Sequence, residues 1–128
     1  MDVLLVEDVS DLRMMLRWYM ETKQDMRVVG EADAGDVALR LAEALHPDVI
    51  VLDRRLETMS GDAALPLLRE VAPEAAIVVY SSFVDDRTVS RQLIGLGADA
   101  VVDKAVSVTK LEAAIRWSLT QHHSGRGR

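Results

Sequence analysis

Short apolar runs alternate along the chain with longer stretches in which apolar positions recur every three or four residues. The short runs predict strands near 2–6, 27–32, 48–53, 76–81 and 100–103. The longer stretches predict amphipathic helices near 10–22, 35–45, 62–72, 86–96 and 108–121. Strand and helix therefore alternate throughout, which indicates an α/β protein.

Several predicted strands are apolar at consecutive positions, as in VIVL at 49–52 and AIVVY at 76–80. Alternation would indicate a strand with one wet face, whereas a continuous run indicates a strand covered by helices on both faces. The pattern therefore predicts an α/β fold with a doubly wound, flavodoxin-like (βα)5 parallel sheet in the strand order 2-1-3-4-5. Ser60 is placed to cap a helix and Gly97 to end one.

The length of 128 residues is that of a single domain, which we place at residues 1–121. The segment HHSGRGR at 122–128 has no helical pattern, and we predict a flexible tail or part of a linker there. The apolar runs are far shorter than the ~20 residues of a membrane span, and the first strand begins too early to leave room for a signal peptide. We therefore expect a cytoplasmic protein with no membrane partner.

Two features of the composition narrow the function. The chain has no cysteine, which excludes thiol catalysis, disulfides and thiolate metal ligands. Its net charge of −6 argues against direct binding of nucleic acid by this domain. Any contact with DNA is expected to need another module.

Four of the five predicted strands end at side chains that are suited to handling phosphate. The carboxyl ends of parallel strands share one edge of the sheet, so we expect these side chains to lie together where open α/β sheets bind ligands. They are Glu7 and Asp8 after the first strand, Asp53 after the third, Ser81 at the end of the fourth and Lys104 after the fifth.

Three of these residues are acids, and three carboxylates within a few ångströms repel one another unless a cation lies between them. Carboxylate oxygens are ligands for hard divalent ions, so the pattern predicts Mg²⁺ (or Mn²⁺) as a cofactor. A simpler interpretation, in which Glu7 and Asp8 only cap the following loop or helix, stays open from the residues alone.

Four segments together resemble the receiver domain of two-component response regulators, over about residues 2–121. They are VEDVSDLR at 6–13, PDVIVLDRRLETMSGDAAL at 47–65, VVYSS at 78–82 and GADAVVDKA at 97–105. The resemblance implies a phosphorelay protein that accepts a phosphoryl group from a sensor histidine kinase or a phosphotransfer protein. Such a domain switches a protein-interaction surface and is not an enzyme acting on a separate substrate.

The resemblance also implies roles for the acids at the strand ends. Asp53 would be the phosphoacceptor, because a carboxylate can attack a phosphoryl group and form an aspartyl phosphate. Asp8, Asp53 and the backbone carbonyl of Arg55 would bind the metal directly. Glu7 would act through a metal-bound water.

The remaining two strand-end residues would contact the phosphoryl group itself. Lys104 would neutralise its oxygens, since phosphoryl transfer depends mainly on positioning and charge. Ser81 would donate a hydrogen bond to it and move inward when it arrives. Ser82 is a second hydroxyl with similar reach, and the register of the segment assigns the role to Ser81.

Other positions depart from the family pattern. Ala105 stands where many receivers have proline, so we expect a trans bond and a different loop shape there. Val101 stands where receivers often have a Tyr or Phe that swings inward, so we expect Tyr80 or Phe83 to substitute, another mode of readout, or a less responsive receiver. Arg55 and Phe83 would flank the phosphoryl group, and their bulk predicts slow self-dephosphorylation.

Two helices carry apolar residues on their outer sides. Met14 and Trp18 lie opposite the predicted core side of the first helix, and in the family the kinase docks near this helix. Trp117 points away from the predicted core side of the last helix, and a homodimer through the fourth helix, fifth strand and fifth helix is one expectation. The predicted core side of the first helix consists of Leu12, Met15, Leu16, Tyr19 and Met20.

Other functions are compatible with parts of the pattern. The domain could act as a phosphorylation-independent pseudo-receiver, or as the N-terminal receiver of a larger DNA-binding transcription regulator. A phosphohydrolase is disfavoured because Arg55 stands where such enzymes have a second Asp. A dinucleotide-binding domain is disfavoured because no G-x-G-x-x-G follows the first strand.

Overall fold

The strands of the protein are the continuous apolar runs of the sequence, and each is followed by a helix. A computed structural model describes residues 1–82 and 87–126, with the backbone alone for 123–126. The elements are β1 (Asp2–Val6), α1 (Ser10–Glu21), β2 (Arg27–Ala32), α2 (Gly35–Leu45), β3 (Val49–Leu52), α3 (Gly61–Val71), β4 (Ala76–Ser81), α4 (Arg87–Leu96), β5 (Ala100–Asp103) and α5 (Val108–Arg126).

The strands form one parallel sheet in the order β2-β1-β3-β4-β5. This confirms the predicted fold and strand order. The order reverses between β1 and β3, which is where ligands bind in open sheets of this kind. None of the helices in the described parts of the chain is both long enough and apolar enough to cross a bilayer.

Successive residues of each strand contribute to two separate cores. Leu4, Ile50 and Val79 pack against α2, α3 and α4, whereas Leu5 and Val51 pack on the side of α1 and α5. Both faces of the central strands are covered. Their apolar side chains are therefore removed from water, which stabilises the fold by about 25 cal/mol per Å² of buried apolar area. The continuous apolar runs follow from this two-sided burial.

The predicted helix signals at Ser60 and Gly97 are confirmed. The hydroxyl of Ser60 accepts the backbone N–H of Ala63 at 3.1 Å and caps α3. Gly97 follows α4 with φ of +125°, and the N–H groups of Gly97 and Ala98 bond back to the carbonyls of Ile94 and Leu93. A left-handed residue closed by these two bonds is a common helix end that favours glycine.

Two details differ from the sequence predictions. The last helix was predicted to end at 121 and continues to Arg126, and His122 is held by a 2.7 Å contact between its Nε2 and Oδ1 of Asp99. A domain boundary near residue 121 stays a prediction. Met15 was assigned to the core side of α1, but it is 41% exposed because Leu16 and Met20 take the buried positions of this helix.

Candidate functional site

The carboxyl edge of the sheet brings together the side chains that follow the strands. Glu7 and Asp53 lie just past β1 and β3, Ser81 ends β4, and Lys104 lies just past β5. Hydrogen bonds and ion pairs join all four of these side chains in the structure. The strand order explains why these side chains lie together as predicted, because β1, β3 and β4 are neighbours at the centre of the sheet.

Lys104 bridges two carboxylates at this edge. Its Nζ lies 2.6 Å from Oε1 of Glu7 and 3.0 Å from Oδ2 of Asp53. Burial opposes the charge on Lys104, but the hydrogen bonds to the two acids outweigh burial and raise the pKa of the ammonium above its ordinary value. The lysine is therefore a fixed positive charge beside Asp53.

Asp53 is 4% exposed and is bonded on both of its carboxylate oxygens. Oδ1 accepts the Ser81 hydroxyl at 2.7 Å and the Arg55 backbone N–H at 3.3 Å, while Oδ2 accepts Lys104. Burial opposes its ionisation, but the bonds from Ser81 and Lys104 more than offset burial and lower the pKa of Asp53. Asp53 is thus held as an anion, the form in which a carboxylate attacks phosphorus.

Glu7 behaves in the opposite way. It is 2% exposed, and burial raises its pKa to about 7 despite the bonds from Lys104 and from the Val9 backbone N–H, with Asp53 adding repulsion. The two acids share one ammonium, so a proton on Glu7 relieves the excess negative charge. A divalent cation would relieve the same excess.

The acids of the edge meet the requirements of a hard cation. One oxygen each from Glu7, Asp8 and Asp53 lie within 4.8 Å of one another. If all three carboxylates were ionised, the single ammonium of Lys104 would leave two negative charges without a counterion. Oxygen ligands and surplus negative charge suit Mg²⁺ or Mn²⁺.

The loop after Asp53 is held by contacts that the sequence did not indicate. The guanidinium of Arg54 binds both oxygens of Asp62 at 2.9 Å, and the Gly61 N–H donates to the Arg54 carbonyl at 2.8 Å. A Cβ on Gly61 would lie 2.1 Å from the backbone oxygen of Asp53. The start of α3 therefore needs a glycine to let the loop pass this closely.

Thr58 in the same loop has a left-handed backbone with φ of +63°. This region is uncommon for a β-branched residue. The Thr58 hydroxyl donates to Oδ1 of Asp36 at 3.0 Å and so ties the loop to the start of α2. Residues held in such conformations are more frequent near functional sites.

The residues predicted to modulate the site are Phe83, Val101 and Ala105, and the structure describes two of them. The described peptide bonds are all trans, so the expected trans bond at Ala105 is confirmed. Val101 packs with the α2, α3 and α4 side of the sheet, whereas Tyr80 packs on the opposite side with α1 and α5. Tyr80 therefore cannot fill the space of an aromatic residue at position 101. Phe83 lies outside the described residues.

Among the described residues, two of the surface pockets have volumes near 300 Å³. One of about 300 Å³ lies beside Asp53 and is lined by Arg54, Arg55, Ser60, Asp62, Ser81 and Ser82. The other, of about 320 Å³, lies at the amino-terminal edge around Pro47 and Pro73 and contains none of the predicted site residues. The first pocket is thus lined by Ser81, which donates to Asp53, and by the two residues that follow Asp53.

Comparison with known proteins gives a consistent result. The family model of the response regulator receiver domain matches residues 3–116. The response regulator protein VraR of Staphylococcus epidermidis is 32% identical over 114 residues, which is 89% of this chain and 54% of that protein. The chain thus spans about half the length of the curated relatives it matches.

Solved structures agree with this match. The response regulator domain of Thermotoga maritima CheB superposes with a TM-score of 0.83 at 29% identity, covering 94% of this chain and 96% of that one. A two-component response regulator of the LuxR family from Aurantimonas gives a TM-score of 0.88 at 26% identity, covering 94% and 85% of the two chains.

Proposed function

The chain belongs to the response regulator receiver domain family, and on this premise we propose that Asp53 accepts a phosphoryl group from a sensor histidine kinase or a phosphotransfer protein. The observation that carries the proposal is the environment of Asp53. Its buried carboxylate is held ionised by Ser81 and Lys104 beside two further acids. A cap at a strand end would not need this combination of charges.

The reaction follows from the geometry of Asp53. A carboxylate oxygen attacks the phosphorus of a phosphohistidine, a new O–P bond forms, and the P–N bond breaks with its electron pair leaving on the imidazole nitrogen. Lys104 already contacts Oδ2 and stays within reach of the incoming phosphoryl oxygens. Ser81 exchanges its bond to Oδ1 for a bond to the phosphoryl group.

Metal binding is part of the proposal. Asp8, Asp53 and the Arg55 backbone carbonyl would hold Mg²⁺ or Mn²⁺, with Glu7 acting through a water. The metal would supply neutralisation of the charge that the phosphoryl group brings. The three carboxylates gathered around a single ammonium support this assignment.

The proposed switch begins at Ser81 and Lys104. Their movement toward the phosphoryl group would shift the face formed by α4, β5 and α5, which is also the face of a proposed homodimer. Because Val101 is small and Tyr80 faces the other side of the sheet, the readout on this face would depend on the backbone of β4 and β5. Trp117, 55% exposed on α5, lies on the outer side of that helix.

The proposed docking surface for the kinase lies on α1. Met14 and Trp18 are 68% and 71% exposed, and the half-exposed Met15 adjoins them. An exposed apolar ridge of this kind is suited to a helical partner surface.

We also propose that the receiver domain comprises residues 1–121 and that it is located in the cytoplasm.

A second candidate function concerns the longer protein. VraR and the LuxR-family regulator are named as response regulators, and the chain covers only part of VraR. This length difference is what a receiver within a longer protein would give, and we propose the N-terminal receiver of a DNA-binding transcription regulator as the second candidate. A phosphorylation-independent pseudo-receiver is the alternative that the experiment below separates.

The test is incubation of the protein with Mg²⁺ and a small acyl phosphate, followed by intact mass measurement. We expect the addition of one phosphoryl group in the unmodified protein and none in Asp53→Asn, with slow loss of the group because Arg55 and Phe83 would restrict water. Ser82→Ala serves as the matched control and should still be labelled. Absence of labelling in the unmodified protein would favour the pseudo-receiver.

A further inference from the structure

Arg13 of α1 is bonded to the segment that carries two of the candidate metal ligands. Its Nη1 donates to the backbone carbonyl oxygen of Glu7 at 2.6 Å, and its Nε donates to Oε1 of Glu31 at 3.1 Å. The side chains of Arg13 and Glu31 are 21% and 27% exposed. One guanidinium therefore links the end of β1 to a residue of β2.

The bond to the Glu7 carbonyl is made where the regular pairing of β1 ends. The Glu7 N–H still donates to the Ala32 carbonyl at 2.9 Å, but the paired register of β1 stops at Val6. The carbonyl of Glu7 belongs to the peptide plane that it shares with Asp8. Because a peptide unit is rigid, fixing that oxygen also fixes the direction in which the chain enters Asp8.

We propose that Arg13 is a positioning residue for the metal site. By holding the Glu7–Asp8 peptide, its guanidinium directs the carboxylates of both residues toward Asp53. The planar fork of an arginine suits this task, because its donors have a fixed mutual geometry that can join a carbonyl to a carboxylate. This inference rests on the proposed function, since it requires a divalent cation among the acids.

Arg17 provides a matched control one helical turn further along α1. Its Nη1 contacts Oε2 of Glu31 at 2.5 Å and its Nε contacts Oε1 of Glu21 at 3.0 Å. It thus shares the partner Glu31 and carries the same charge as Arg13. Its hydrogen bonds run to Glu31 and Glu21, not to the segment that holds Glu7 and Asp8.

The experiment is a titration of Mg²⁺ into the metal-free protein, followed by backbone amide chemical shifts. We expect Arg13→Ala to raise the Kd for Mg²⁺ about tenfold, as is typical when a residue that orients metal ligands is lost. Arg17→Ala should leave the Kd close to that of the unmodified protein. At saturating Mg²⁺, Arg13→Ala should regain the rate of phosphorylation, because the reacting residues are intact.

A purely structural role for Arg13 predicts a different result. Both arginine variants would then lower thermal stability, and neither would change the Kd for Mg²⁺, which would overturn the positioning role. A loss of phosphorylation in Arg13→Ala that excess Mg²⁺ does not restore would overturn it as well.

Two further outcomes separate this inference from the proposed function. If the unmodified protein neither binds Mg²⁺ nor becomes phosphorylated, the proposed function and the positioning role fail together. If the unmodified protein binds Mg²⁺ and becomes phosphorylated, and the two arginine variants have the same Kd for Mg²⁺, only the positioning role fails.

Should Arg13→Ala not fold, Glu31→Ala removes the anchor of the guanidinium and keeps Arg13 in place. A smaller increase in Kd is expected for it, and an unchanged Kd would contradict the inference.

Discussion

Each edge of the sheet holds a partly buried charged cluster, and only one of the two clusters is balanced. The amino-edge cluster is centred on Arg69 of α3, whose guanidinium contacts Asp99 at 2.7 Å. The other N–H groups of Arg69 donate to the carbonyls of Pro73, Ala75 and Gly97. All five donors of the guanidinium are thereby used.

The carboxyl-edge cluster contains similar groups in different proportions. Lys104 is the ammonium shared by Glu7 and Asp53, and Asp8 adds a third carboxylate. Burial, with repulsion from Asp53 in addition, raises the pKa of Glu7 to about 7, whereas Asp53 stays ionised.

The two clusters differ in how far their charges and hydrogen-bond donors are already used within the fold. Burial and ion pairing occur in both, so neither property alone indicates function. The guanidinium at the centre of the amino-edge cluster has no donor left to offer a ligand. The carboxyl-edge cluster has negative charge left over, which a cation can neutralise.

The largest effect is expected at the amino edge. Arg69→Ala leaves the Asp99 carboxylate and three backbone carbonyls short of donors, and we expect a loss of about 3 kcal/mol in the free energy of unfolding. Urea denaturation measures it. Arg40→Ala, on the exposed side of α2, should change stability by about 0.5 kcal/mol or less. Similar values for both variants would show that the cluster does not hold α3 to the sheet.

A smaller effect is expected where backbone contacts hold the carboxyl edge. Gly61→Ala places a Cβ 2.1 Å from the Asp53 backbone oxygen, so we expect a loss of about 2 kcal/mol together with weaker phosphorylation. A Cβ on Gly95 in α4 meets nothing within 4 Å, so Gly95→Ala should gain about 0.5–1 kcal/mol. Equal effects of the two alanines in thermal unfolding would contradict this account of the loop.

The next effect concerns pH in the absence of metal. The pKa of Glu7 is raised from 4.5 to about 7 in the folded protein, so the folded state binds more protons than the unfolded state between these values. Stability in the presence of a chelator should therefore fall as the pH rises from about 5 to about 8, by roughly 2 kcal/mol. Glu7→Gln should remove most of this dependence. A rise in stability over the same pH range would show that Glu7 is not an acid whose pKa is raised in the folded protein.

The smallest effect tests the surplus charge alone. Asp8→Asn removes one negative charge without removing a partner of Lys104, so we expect the metal-free protein to gain about 0.5 kcal/mol and to be stabilised less by Mg²⁺. Asp11→Asn, in the first turn of α1, should give no gain because acids there favour the helix. Calorimetry with and without Mg²⁺ checks both variants. A loss of stability in metal-free Asp8→Asn would remove the contrast between the clusters.

The carboxyl-edge cluster could be predicted from the sequence because one topological rule suffices for it. Strand endings are visible as polar residues after apolar runs, and a parallel sheet brings such endings to one edge. Asp53, Ser81 and Lys104 were found in this way, and the structure joins them by hydrogen bonds.

The supporting contacts could not be predicted in the same way. Arg13 and Arg69 bond to backbone carbonyls outside their own helices, those of Glu7 and Gly97, and helical periodicity carries no information about such pairs. The opposite faces of Tyr80 and Val101 follow from the register between strands, in which Tyr80 pairs with Val102. Weak helix formers after residue 121 concealed the last turns of α5, where His122 contacts Asp99.

The most direct measurement of the central claim is the location of the phosphoryl group. After reaction with a phosphodonor and Mg²⁺, borohydride reduction of the acyl phosphate and peptide mass spectrometry identify the modified residue. We expect modification at Asp53, dependent on Mg²⁺ and absent in Asp53→Asn. Modification at another residue, or none at all, would contradict the assignment of the unbalanced cluster as the phosphoacceptor site.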